Sequence, residues 1–167
     1  MVNQAGAEEA AGIYTSLRTS VLHVRPDEVG LAPSVELPHV WGVVTDIGHP
    51  GGVATVVALA DGTTSLYLST GGGTIGGGGH AAVVAATMAL LNAAQRRLAD
   101  LPPTSDEALP AVGRVVLRAL TYDGQRAVEA GEEELHGQHP LSDLYRAVHA
   151  VITELRLIEE NRPDRPQ

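Results

Sequence analysis

The sequence predicts an α+β domain, a mainly antiparallel sheet of about five strands with three helices in the order α-β-β-β-α-β-β-α. Three observations carry this. Asp61-Gly62 and Asp123-Gly124 each separate two β-rich runs, and Asp-Gly is a strong hairpin signal because both turn positions need positive φ. His49-Pro50-Gly51-Gly52 separates a third pair of runs in the same way. Three further segments have apolar residues at helical rather than alternating spacing. Hairpins make sequential strands antiparallel, which places the helices on one face or at one end of the sheet.

The first helix is expected over residues 5–24, with Ile13, Leu17, Val21 and Val24 on one face, and Arg25-Pro26 stops it. Residues 25–38 contain three prolines and Gly30 and suit an ordered loop. Strands follow over 40–47, 53–60 and 63–70, the first marked by Val40, Trp41, Val43, Val44 and Ile47. In the third, Leu66 and Leu68 alternate with Ser65, Tyr67 and Ser69, separating an apolar from a polar face. The second helix spans 81–98 and ends before Pro102-Pro103. Its alanines and aliphatic residues run almost all the way round, and a helix apolar on every side needs cover on every side. A second subunit is the simplest cover, so a homodimer through 81–98 is expected.

Residues 104–110 read as a linker with one helical turn, and the strands 113–122 and 125–134 follow. The last helix, 141–160, is amphipathic, with Leu141, Leu144, Val148, Val151, Leu155 and Ile158 on its stripe. The whole chain, 1–167, is one domain with ends expected to fray at 1–4 and 161–167.

Composition excludes several kinds of chemistry. Lysine is absent, which removes Schiff-base catalysis and the phosphate-loop lysine. Cysteine is absent too, so there is no thiolate nucleophile, disulfide or Cys-ligated metal. A formal net charge of −9 without a basic block argues against nucleic acid as a partner. The longest mainly apolar run, 81–91, is far shorter than the roughly 20 residues that cross a bilayer, and the N-terminus has no basic, apolar leader. A cytoplasmic protein without membrane contact is expected.

The candidate site is the stretch from Gly71 to His80, in which seven of ten residues are glycine. It follows a strand and precedes a helix, so Gly73, Gly76, Gly77, Gly78, Gly79 and His80 offer flexible backbone and free N–H groups for an anionic ligand. The same glycines also suit a hinge or a close-packing loop. Gly71 to Gly76 formally matches the dinucleotide fingerprint, but that fingerprint needs a parallel β-α-β unit, and the strand entering the loop belongs to an antiparallel hairpin.

His136 and His139, beside Glu132, Glu133 and Glu134, are donors of the right type for a divalent metal. They straddle Gly137 and abut Pro140, so the sequence yields no metal site and no cofactor. His49 and His149 read as lone structural histidines. Ser65, Ser69, His80 and Asp46 form no recognisable nucleophile motif, and no catalytic residue is assigned.

The element order resembles the plan of the small, acidic, dimeric chaperones that bind type III secretion effectors, and a reordered version occurs in roadblock and profilin-like domains. The resemblance lies in element order over most of the chain. It bears on the fold; the Ala-rich helix with too many apolar faces, the acidic composition and the absence of a catalytic set are what predict a dimeric, non-catalytic protein-binding module of adaptor or chaperone type. The alternative is a small-molecule binding protein or enzyme that uses the glycine stretch.

Overall fold

A computed structural model describes residues 4–163. The chain runs α1 (Gln4–His23), β1 (Val40–His49), β2 (Gly52–Leu59), β3 (Thr64–Leu68), β4 (Gly73–Thr74), α2 (Ala81–Arg96), β5 (Arg114–Thr121), β6 (Gly124–Gly131), α3 (Glu132–His136) and α4 (Ser142–Glu160). Of the expected frayed ends, residues 1–3 and 164–167 lie outside the described residues, and Gln4 already opens α1.

The strands form one antiparallel sheet in the order β4-β3-β2-β1-β5-β6. The predicted α+β class is thus the observed one. Six strands replace five because the glycine stretch itself supplies the two-residue β4, paired with Leu66 and Tyr67 of β3. Four α-helices replace three because Glu132 to His136, read as the end of a strand, coil into α3. Three acidic residues suit the first turn of a helix, where backbone N–H groups are unpaired. No helical turn forms in residues 104–110; Pro102 to Thr104 pair with the free edge of β6, Thr104 N donating to Gln125 O, and the linker then turns across the face of the sheet, where the Asp106 carbonyl meets Arg118 of β5.

The expected turns are present at their predicted positions. Gly51 and Gly62 have φ of 103° and 95° within two of the tight connections, and Gly124, with φ of 125°, opens β6 directly after the third, whose turn residues are Tyr122 and Asp123. Asp61 and Asp123 themselves do not take the positive φ expected of them. The three glycine values lie in the region that favours glycine.

Helices cover both faces of the sheet, not one. β1 is buried on both sides, with Val43 and Ile47 in one cluster and Trp41 and Val44 in another. Against the first face pack α2 and α4, with Val83, Leu90, Leu91, Leu144, Val148, Val151 and Leu155 meeting Val56, Val115 and Leu117. Burying one such leucine or valine contributes roughly 1.5–3 kcal/mol, so this layer supplies most of the hydrophobic stability. The second face is covered by α1, through Val21 and Leu22, which share a cluster with Trp41, Val44, Val57, Leu59 and Leu120. Beside α1 the 105–112 segment passes over β1, close enough that a Cβ on Gly48 would lie 2.0 Å from the Ala111 carbonyl oxygen.

α1 is rotated from its expected orientation. Its buried residues are Tyr14, Arg18, Val21 and Leu22, while Ile13 is 56% exposed. The reason is polar: the inward positions meet Asp46 of β1 and Thr55 of β2 and carry groups that bind them.

Candidate functional site

The glycine stretch divides between two recesses on opposite sides of the β4 end. Gly71, Gly72 and Gly73 line an apolar groove with Ala10, Ile13, Tyr14 and Leu17 of α1, Tyr67 and Leu68 of β3, and Ile75. Gly76, Gly77 and His80 line a second recess against the start of α2 and the end of α4, where Glu154, Leu157 and Arg162 complete the wall. Ile13 and Ile75 are 56% and 62% exposed at the first groove, an unusual exposure for isoleucine.

Most of these glycines are explained by packing. A Cβ on Gly73 would lie 1.9 Å from the Leu66 carbonyl oxygen, and one on Gly78 would lie 2.5 Å from the Gly62 carbonyl oxygen. Gly77 is buried, and its Cβ would meet Leu155 at 2.6 Å and Val83 at 3.1 Å. Gly76 has a positive φ of 81°, and Gly79 has open space around it. A short 3₁₀ turn, Gly77–Gly79, leads into α2, whose first residue follows the exposed His80. His80 makes no side-chain capping hydrogen bond.

α2 presents a face that nothing in the described chain covers. Ala81, Ala82, Val84, Ala85 and Ala89 are exposed, and no residue from Ala81 to Gln95 is charged. The opposite face carries Val83, Thr87, Leu90, Leu91 and Ala94 into the core. Arg97 just beyond the helix binds Asp143 at the start of α4, at 3.1 Å, tying the two helices together. Burial pushes the Asp143 carboxyl up, but the hydrogen bonds from Arg97 and the Leu144 N–H and the guanidinium charge outweigh it and hold its pKa below the ordinary value.

Under α1 lies a polar network with no counterpart in the sequence reading. Arg18 donates from Nε to Asp46 Oδ1 at 3.1 Å and from Nη2 to Oδ2 at 2.8 Å. Thr55 Oγ1 donates to Asp46 Oδ1 at 2.7 Å, which leaves the Tyr14 hydroxyl as donor to Thr55 at 2.6 Å. Burial, with the charge of Asp46, pushes the Tyr14 phenol up. The network consumes Asp46, so Asp46 is engaged with α1 and not with His80, which precedes α2 on the other side of the sheet.

Arg118 of β5 is 1% exposed. Its Nη1 donates to Gln125 Oε1 and its Nη2 to the Asp106 carbonyl, both at 2.9 Å, and burial pulls its pKa down. Gln125 donates in turn to the Leu22 carbonyl at 2.8 Å, so this chain of bonds joins the end of α1, the β5–β6 hairpin and the linker.

The histidines group differently from their sequence spacing. His139 is turned into its own loop, where Nδ1 accepts from the Leu141 N–H at 3.1 Å. His136 instead shares a helical turn with Glu132 and stacks near His149 of α4, with ring centroids 5.3 Å apart. Tyr145, one turn before His149, donates to Glu132 Oε1 at 2.8 Å. His149, read above as a lone residue, thus belongs to a cluster. Burial, reinforced by the neighbouring His136, lowers its pKa.

Among the described residues, no helix is long and apolar enough to cross a membrane. No family model, curated protein or solved structure matches this chain.

Proposed function

We propose that this chain is a non-catalytic, protein-binding module of adaptor or chaperone type, working in the cytoplasm as a homodimer joined through α2. The observation that carries the reading is the uncharged, small-residue face of α2, exposed on a chain of net charge −9. Alanines let a second backbone approach closely, and a facing copy of the same helix supplies the same surface. The partner protein would meet the groove between α1 and the β3–β4 hairpin, where Ile13 and Ile75 flank an apolar wall about 260 Å³ in volume.

The absence of cysteine gives this reading a clean test. A single Ala85→Cys substitution places a unique thiol on the α2 face, and Ala7→Cys places one on exposed α1. Mild oxidation is expected to give a covalent dimer efficiently at Ala85→Cys and poorly at Ala7→Cys. Equal yields at the two positions would remove α2 as the interface.

A second reading, an anionic ligand at Gly76 to His80, draws on the presence of Arg162 and His80 in one recess. It predicts a rise in melting temperature with inorganic phosphate or a small carboxylate that disappears in His80→Ala.

A further inference from the structure

We propose that Glu132, His136 and His149 form a binding site for one divalent transition-metal ion of the zinc class. One donor atom from each of the three residues lies within 4.8 Å of the other two. Donors bound to one zinc at 2.0–2.2 Å in tetrahedral geometry lie about 3.3–3.6 Å apart. The cluster therefore needs only a small closure to coordinate an ion. The residue free to make it is His136, on the exposed end of the five-residue α3, with a side chain 57% exposed.

The other two donors are already held. Tyr145 Oη donates to Glu132 Oε1 at 2.8 Å, fixing the carboxylate while leaving it lone pairs for a metal. Tyr145 and His149 sit one turn apart on α4 and pack edge to face at 4.6 Å, which orients the imidazole. His149 Nε2 is buried and has no hydrogen-bond partner. A buried polar atom in that condition is uncommon and points to a missing partner. A metal ion satisfies it directly, because an imidazole nitrogen without a proton is a metal ligand.

The donor set selects the kind of ion. Two imidazoles and one carboxylate suit zinc and its first-row neighbours, whereas magnesium and calcium prefer sites made entirely of oxygen. The recess around the cluster, about 220 Å³ and lined also by Leu135, Ser142 and Arg146, is open on the His136 side, so water would complete the coordination. The ion would clamp α3, and with it the end of β6, onto α4. Arg146 on the rim adds an unfavourable charge, which Glu132 and its neighbours Glu133 and Glu134 offset.

Zinc titration of the untagged, chelator-treated full chain by isothermal calorimetry tests the site, with cobalt(II) absorption as an independent reading of geometry. One equivalent of zinc is expected to bind, cobalt is expected to give the visible bands of a four- or five-coordinate ion, and magnesium is expected to do nothing. His136→Ala removes an exposed donor and should leave the fold intact while weakening zinc at least about tenfold. His149→Ala should do the same, and His139→Ala should bind like the wild type. Absence of saturable zinc binding, or binding undiminished in folded His136→Ala, overturns the proposal.

Discussion

Arg18 of α1 and Asp46 of β1 form a two-pronged ion pair in which Asp46 is fully buried and the Arg18 side chain is 10% exposed. Charges withdrawn from water are costly unless each is matched, and here Thr55 and Tyr14 complete the match on the side of Asp46. The pair fixes how α1 sits on the sheet, because sliding or rotating the helix would leave a buried carboxylate alone.

Removing one partner is therefore expected to be more damaging than removing both. Asp46→Ala should lower the unfolding free energy by about 3–5 kcal/mol, since it strands the buried guanidinium. Arg18→Met combined with Asp46→Leu should cost less than Asp46→Ala alone. Urea unfolding followed by circular dichroism distinguishes these outcomes, and additive losses would mean that the two residues are not coupled.

This pair also shows where the sequence stopped being informative. The hairpins at Asp61-Gly62 and Asp123-Gly124 were legible because a tight turn is a local event, and the α4 stripe was legible because helical spacing is local too. Nothing local marks Arg18 as buried, and its spacing left Ile13 as the apparent inward residue. The contact joins positions 28 apart and is decided by which strands lie under the helix. Likewise, the cluster of Glu132, His136 and His149 was missed because α4 brings His149 back over α3, while His139, only three residues from His136, turns away. The i,i+4 spacing of Glu132 and His136 was the available signal, obscured by reading the segment as strand.

Alanine substitution along the glycine stretch separates packing from ligand binding. Gly78→Ala places a Cβ against the Gly62 backbone, and Gly73→Ala places one against Leu66 in a residue with φ of 139°. Each is expected to lose about 1–3 kcal/mol by thermal melting without added ligand. Gly79→Ala meets open space and should stay within about 0.5 kcal/mol of the wild type. Uniform tolerance at all three positions would contradict the packing explanation.

The link between α2 and α4 should respond to acid. Because the folded-state pKa of Asp143 lies below its ordinary 3.8, the contribution of the Arg97 contact is fully present above that value and is lost as pH falls through the lower, folded value. Both side chains are more than a third exposed, so the effect is small. Melting temperature between pH 5 and pH 2.5 should fall slightly less steeply in Asp143→Asn than in the wild type. Parallel curves would show that the contact has no net energetic role.

Self-association through α2 is the claim on which the proposed function most depends, and sedimentation equilibrium at micromolar concentration tests it most directly. The wild type is predicted to sediment at twice its chain mass of 17.4 kDa. Ala85→Glu with Ala89→Glu, which places charge on the exposed α2 face, is predicted to sediment as a folded monomer. A wild-type chain that remains at 17.4 kDa across the concentration range, or a double variant that stays dimeric, would contradict the account.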